Sequence, residues 1–354
     1  MAYKAGVVGA AGYAGIELVR RLVEHPDFEL AVITSNADAG VKLADMYPAF
    51  AGVSDLEFSR HDCEELSRCD VAFMAVPHTA ALAMAPSLLE AGVSVVDLSA
   101  DYRLKDPAVY EQWYETPHTS PELLKTCAFG LPEITRDELD RVAADHAEGK
   151  AVLVACAGCY PTATSLAAYP AVSRGWVQGV VNVQAISGVT GAGKKCSQRT
   201  HFCHANENVE AYGVGKHRHT PEIEQILGLP GRVLFIPHLA PLNRGLLSTV
   251  TMQLTDEAAD GFSLDAALEL YNEFYKDSPF VTVLPKGQMP RTDSVAGSNR
   301  AQVGIAYHET THTFIAIGAI DNLCKGAASQ AIQCANIVFG LPQTAGLSAM
   351  SNPV

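Results

Sequence analysis

Positive charge is scarce in this chain. Its 25 Lys and Arg stand against 39 Asp and Glu, for a formal net charge of −14. Such a molecule repels a phosphate backbone, and it has no basic stripe to offset the imbalance, so no nucleic-acid partner is expected. Long apolar runs are missing as well. None reaches the length that crosses a bilayer, and Lys4, Glu17, Arg20 and Arg21 break up the stretch where a secretory signal would lie. No membrane partner is expected, and a cytoplasmic location is. Charged residues are only 18% against 48% hydrophobic, a balance that leaves no room for a largely disordered chain. Cysteine is present but odd in number, at nine. A chain that can bury a full core needs no staples, so reduced thiols are expected instead of a disulfide framework.

At 354 residues the chain exceeds what one core usually serves, and two domains are expected. Near the start, a short apolar run (Ala5 to Val8) leads into Gly9-Ala-Ala-Gly12-Tyr-Ala-Gly15 and then into a helix-like stretch through Ile16, Leu18, Val19, Leu22 and Val23. Strand, turn and helix in that order suit a dinucleotide. Gly9, Ala11, Gly12, Tyr13, Ala14 and Gly15 would let the backbone approach a pyrophosphate at a helix start, although a glycine turn can also be purely structural. The second apolar run, Leu30 to Ile33, ends in Thr34-Ser35-Asn36, where an NAD site usually carries a carboxylate. Neutral groups there favour NADP(H), with Lys42 available as counter-charge, while the nearby Asp38 keeps NAD open. Further runs at Val71 to Val76 and Val93 to Asp97 end in Pro77-His78 and in Leu98-Ser99-Ala-Asp101-Tyr-Arg103. Alternating strands and helices predict a parallel sheet with functional groups at the strand C-termini, which brings in Ser35, Pro77, His78 and Ser99. Arg103 is either a two-pronged phosphate ligand or one half of a surface ion pair with Asp101 or Asp106.

A further strand pattern, Ala151 to Ala155, precedes Cys156-Ala-Gly158-Cys159-Tyr-Pro161-Thr162. Pro161 fits the first turn of a helix. Cys159 would then sit where the helix dipole and unpaired N–H groups favour thiolate and could hold an oxyanion; the bland alternative is an inert buried cysteine. An acid/base partner is offered by Gly215-Lys-His217-Arg-His219-Thr-Pro221-Glu222, where in extended chain both imidazoles face one side. The alternative is a basic surface loop with a helix cap at Thr220. Cys156 and Cys159 spell Cys-x-x-Cys, but Cys196, His201, Cys203 and His204 lack the spacing of a second ligand pair, so no metal is expected. Gly188-Val-Thr-Gly-Ala-Gly193-Lys194-Lys195 approaches a phosphate loop and fails it, because Lys195 stands where Ser or Thr must bind magnesium.

Seven motifs in order resemble one family. They are Gly9-x-x-Gly12-Tyr-x-Gly15, Leu98-Ser-Ala-Asp-Tyr-Arg103, Gly158-Cys-Tyr-Pro-Thr162, Ser187-Gly-Val-Thr-Gly-Ala-Gly193, Gly215-Lys-His-Arg-His-Thr-Pro-Glu222, Pro237-His-Leu-x-Pro-x-Asn-Arg-Gly245 and Asp321-Asn-Leu-x-Lys-Gly326. Over nearly its full length the chain is similar to the N-acetyl-gamma-glutamyl-phosphate reductases, the arginine-biosynthesis branch of the aspartate-semialdehyde dehydrogenase-like group. The resemblance implies an α/β Rossmann-type NADP-binding domain (1–158 plus 323–354) and an α+β catalytic and dimerisation domain on a largely antiparallel sheet (159–322). It implies strands at Val180 to Ile186, Leu246 to Leu254, Val303 to Tyr307 and Phe314 to Ile317, then a last helix from Lys325 to Phe339 capped by Asp321-Asn322. It implies NADPH-dependent reduction of N-acetyl-glutamyl 5-phosphate to the semialdehyde through a cysteine thioester, in a homodimer or homotetramer.

By the same resemblance Cys159 is the nucleophile and His219 the acid/base, with His217 in reserve. Arg103, Ser187, Lys194 and Glu222 meet the substrate, while Gly188 and Asn322 join the cofactor set. Relatives often carry Asn-Pro before Gly-Cys, where this chain has Cys156-Ala157; the exchange removes a rigid element and adds a thiol open to oxidation. The nearest rivals are the same chemistry on N-acetyl-aminoadipyl or aspartyl phosphate. A non-catalytic NADP-sensing protein is the rival from another class, and it would not need Cys159 and His219 together.

Overall fold

The structure is a computed structural model describing residues 2–351. Met1 and residues 352–354, which the sequence reading assigned to the first domain, lie outside it. Two compact units are present: residues 2–157 with 327–347, and residues 158–326 with 348–351.

The first unit is built on seven strands, β1 (Tyr3–Val8), β2 (Phe28–Thr34), β3 (Phe58–Ser59), β4 (Val71–Met74), β5 (Ser94–Asp97), β6 (Ala128–Gly130) and β7 (Leu153–Cys156). They lie in the order β3-β2-β1-β4-β5-β7-β6, and every pairing is parallel. Helices on both faces bury such a sheet completely, which is why β4, β5 and β7 read as unbroken buried runs. The five strands expected from apolar runs are all present within two or three residues. Two-residue β3 and three-residue β6 are too short to announce themselves.

The second unit carries β8 (Val177–Gly188), β9 (Glu210–Ala211), β10 (Val233–Ala240), β11 (Leu246–Leu254), β12 (Val281–Val283), β13 (Ala301–His308) and β14 (Thr313–Ile320). Their order is β12-β13-β14-β11-β8-β10-β9, antiparallel except at β12–β13 and β8–β10. Burial alternates along β11, so one face is packed and the other open. On the open face Val180, Ile186 and Leu234 remain 52%, 37% and 43% exposed.

The Cys159–Ser173 helix covers the packed face against β11 and β14. Gly318 of β14 admits it: a Cβ there would collide with the Ala163 carbonyl. The helix also contains Pro170, which has no N–H for the carbonyl four residues back. Tyr275 makes good that loss, its hydroxyl donating to the Leu166 carbonyl at 2.6 Å, while Tyr271 donates to Ala167 at 2.8 Å. The family resemblance implies a last helix from Lys325 to Phe339. The observed chain instead makes a π-helical turn, Cys324–Ala328, before the regular helix Ser329–Val338. Asp321 caps this turn as expected, its Oδ1 accepting from the N–H groups of Leu323 and Cys324.

Candidate active site

In the first unit, Gly9 has φ +80°, and a Cβ on it would strike the Ala75 carbonyl. A Cβ on Gly15 would strike Gly9 itself. Gly12 caps the Tyr13–Leu22 helix without a side chain, so the first-turn N–H groups at Tyr13, Ala14 and Gly15 have no intrahelical acceptor. The turn therefore fits a pyrophosphate: bare backbone donors at a helix start, with no side chain in the way. Tyr47 holds the turn by donating to the Ala11 carbonyl at 2.8 Å. At the end of β2, Ser35 donates to Asp38 at 2.6 Å.

After β5, Ser99 serves Asp97: its N–H and hydroxyl donate to the carboxylate at 2.8 and 2.7 Å. Burial still pushes the Asp97 carboxyl up to about 7. His78 is exposed and lies edge-on to the Tyr114 ring, 5.2 Å away. Beyond Pro77 and His78, Thr79 adopts φ +74°, and its N–H is taken by Asp101 at 2.8 Å. Asp101 also accepts from Ala81, Leu82 and the Tyr110 hydroxyl.

That occupation of Asp101 bears on Arg103. The sequence offered a phosphate ligand or a surface ion pair; the structure shows a buried guanidinium, 7% exposed. Its Nε donates to the Cys156 carbonyl and one terminal nitrogen to the Leu98 carbonyl, each at 2.7 Å. Arg103 thus clamps the backbone at the ends of β5 and β7, because buried carbonyls leaving a sheet need donors. Cys156, considered open to oxidation, is fully buried beside Cys334, and that contact together with burial holds its thiol well above the usual range.

In the second unit, Cys159 is the first residue of its helix and half-buried, with Gly158 as cap. Pro161, in the first turn, costs no hydrogen bond. Gly326 of the π-helical turn comes so near that a Cβ on it would lie 2.7 Å from the Cys159 Cβ. Replacing Gly326 with Ala is therefore expected to displace the thiol and lower kcat by about tenfold, since small misplacements of a reacting group are costly; steady-state rates beside an unchanged melting temperature would check this.

The two imidazoles gather around Tyr160, the residue after the thiol, with ring centroids at 5.6 Å (His217) and 5.9 Å (His219), and 4.9 Å from each other. They do so by a route other than the one expected. The segment is not extended: His219 has helical dihedrals at the start of the Thr220–Leu227 helix, and its N–H turns back to His217 Nδ1 at 3.2 Å. Burial, with Arg218 adding to it, lowers the His217 pKa to about 4. Glu222, expected on the substrate, is buried on the protein itself. Its Oε1 accepts from the Gly158 N–H at 2.7 Å, and its Oε2 lies 4.0 Å from His219 Nε2. The Gly158 N–H, one of the donors proposed for an oxyanion, is thereby already engaged.

Ser187 is buried at the end of β8, and its hydroxyl donates to the Gly188 carbonyl at 3.2 Å. Gly188 has no space for a side chain, since a Cβ would meet the Leu242 carbonyl at 2.7 Å. Asn322 uses both ends of its amide, donating to Thr190 and accepting from the Gly245 N–H, each at 2.9 Å. Lys194 is exposed on the loop beyond. Sequence reasoning missed Tyr160, Tyr212 and Gly326. Tyr212 donates to the Tyr160 hydroxyl at 3.2 Å, and Tyr160 to the His238 carbonyl at 2.9 Å. Two of the three stood inside quoted motifs, which was the available signal. Among the described residues no three His, Cys, Asp or Glu gather as a metal site, and no helix is long and apolar enough to cross a membrane.

Comparison with known proteins agrees with this layout. Residues 4–142 match the model of the semialdehyde dehydrogenase NAD binding domain, and residues 159–322 that of the semialdehyde dehydrogenase dimerisation domain. The N-acetyl-gamma-glutamyl-phosphate reductase of Desulforudis audaxviator is 44% identical over 353 residues, 97% of each chain. That of Pseudomonas putida is 44% identical over 351 residues, 98% of each. Among solved structures, the aspartate semialdehyde dehydrogenase of Candida albicans with NADP superposes with a TM-score of 0.73 at 19% identity, covering 96% of this chain and 98% of that one. Aspartate semialdehyde dehydrogenase II of Vibrio cholerae gives 0.70 at 15%, with the same coverage. At such identities the two structures speak for the fold alone.

Proposed function

Because the chain belongs to the N-acetyl-gamma-glutamyl-phosphate reductases of the semialdehyde dehydrogenase family, we infer that it reduces N-acetyl-glutamyl 5-phosphate to N-acetyl-glutamate 5-semialdehyde. The observation that carries this reading is the half-buried Cys159 at an apolar helix start, with two imidazoles packed around the next residue. A sensing protein has no use for that combination.

The thiolate of Cys159 attacks the acyl carbonyl; phosphate leaves and a thioester forms. The helix dipole favours the thiolate, and backbone N–H groups at the start of this helix would hold the oxyanion. NADPH, when bound, would supply the hydride for reduction of the thioester. Protonated His219 gives its proton to the oxyanion that hydride transfer creates and takes it back as the thiohemiacetal collapses to aldehyde and thiolate, and Glu222 balances the charge of the protonated ring. The Gly9–Gly15 turn, Ser35, Pro77, His78 and Ser99 would hold the cofactor, and Gly188 and Asn322 are also assigned to it. Arg103, Ser187 and Lys194 are assigned to the substrate.

The chain works as a homodimer or homotetramer in the cytoplasm. The open apolar face of the second sheet supports assembly, since residues such as Val180 and Leu234 are exposed there; the nine free thiols support a reducing compartment. The direct test runs the reaction backwards: purified protein, NADP, phosphate and N-acetylglutamate semialdehyde should give phosphate-dependent absorbance of NADPH. Faster turnover with aspartate semialdehyde, or with the aminoadipate analogue one carbon longer, would move the substrate assignment to that acid. No turnover with any of them would end the enzyme reading.

A further inference from the structure

The end of β2 is bound to the turn that follows β3. These strands run parallel with Thr34 opposite Ser59, and the Ser35 N–H extends the ladder to the Ser59 carbonyl at 2.9 Å. This register sets Arg60 beside Ser35 and His61 beside Asn36. The turn is fixed twice more, by His61 Nδ1 at 2.7 Å from Thr34 Oγ1 and by the His61 N–H donating to Asn36 Oδ1 at 2.9 Å. Lys42, the counter-charge suggested by sequence, belongs elsewhere: its backbone bridges Glu57, before β3 begins, whereas Arg60 follows β3 at the same end as Thr34.

In open α/β sheets the adenosine ribose of a dinucleotide lies at the end of this strand, and a 2′-phosphate there needs a nearby guanidinium. Asp38, the carboxylate that would favour an unmodified ribose, is engaged by the Ser35 hydroxyl. We propose that Arg60 recognises the 2′-phosphate and thereby sets the preference for NADP(H) over NAD(H). The proposal rests on the NADP(H) reading above. At present the Arg60 Nε lies 3.2 Å from Asp62 Oδ1, with the two side chains 63% and 73% exposed. A surface pair of this kind is weak and screened, and a phosphate offers the guanidinium a stronger two-pronged partner.

The test uses full-length protein without substrate or turnover. Calorimetric titration compares adenosine 2′,5′-bisphosphate with adenosine 5′-monophosphate, which differ only in the 2′-phosphate. The wild type should bind the bisphosphate tighter by roughly 10- to 100-fold, the range of charge-assisted hydrogen bonds. Arg60→Ala should collapse that gap to about threefold or less with the monophosphate affinity and melting temperature unchanged. Arg60→Lys should restore part of the gap, and Lys42→Ala should leave it whole. A gap that survives Arg60→Ala, or is lost in Lys42→Ala instead, overturns the assignment of Arg60 while leaving the cofactor reading intact. A wild type that shows no gap overturns the NADP preference itself, and the proposal with it.

Discussion

Replacing Cys159 with Ser is expected to lower turnover at least about 10³-fold, on the order of 4 kcal/mol of transition-state stabilisation, while NADPH binding stays within about twofold. The hydroxyl is nearly isosteric, so the helix and the Gly326 contact persist, and what changes is nucleophilicity. A helix dipole that makes a thiolate accessible near neutral pH has far too little strength to ionise a serine hydroxyl. Two measurements check this: initial rates in the reverse assay, and NADPH titration by fluorescence. Wild-type-like turnover in the variant would mean that the thioester does not exist. Alkylation experiments need one precaution. Cys196 and Cys203 are exposed, so both should be replaced before loss of activity is attributed to Cys159.

The second large effect concerns the imidazoles. His219→Asn should lower kcat by about 10²- to 10⁴-fold, the usual contribution of a positioned acid/base group, and flatten the pH–rate profile. His217→Asn should keep the shape of that profile. With a pKa near 4, His217 is neutral at working pH and has no proton to give; its ring packs between Tyr160, Tyr212 and Phe235. The same shift carries a stability signature. The native pKa lies below the unfolded value of about 6.5, so between those values the unfolded chain binds more protons. Native stability from this group is therefore full above about pH 6.5 and is lost as pH falls toward 4. His217→Asn should accordingly flatten the decline in melting temperature from pH 7 to pH 5. If His217→Asn abolishes the acid–base limb and His219→Asn does not, the roles are exchanged.

The first sheet was largely legible in the sequence because buried parallel strands leave continuous apolar runs such as Val71 to Met74. β3 was not, since two residues carry no period, and with it went the one register that brings Arg60 to Ser35. In the second sheet Leu246 to Leu254 alternates, and the family resemblance placed it to the residue, whereas β10, interrupted by Pro237 and His238, was missed as a strand. Local spacing also left the partners within the protein unseen. Arg103 and Glu222 stand in motifs that suggest ligands, yet burial obliges each to satisfy backbone groups, and only the fold shows which carbonyls or N–H groups are in reach. For His217 and His219 the sequence placed both imidazoles together but ascribed this to an extended chain; a hydrogen bond between neighbours achieves it in a turn.

One carboxylate links the two reacting groups. Glu222 touches the backbone just before the nucleophile with one oxygen and faces the proton donor with the other. Sulfur loses its negative charge on acylation and regains it when aldehyde is released, in the same step that returns the proton to the imidazole, so across that release the two charges facing this single anion change in opposite directions and cancel. A neutral electrophile that captures the sulfur should therefore suit the resting pocket better than an anionic one, which would crowd a second negative charge against a fixed first.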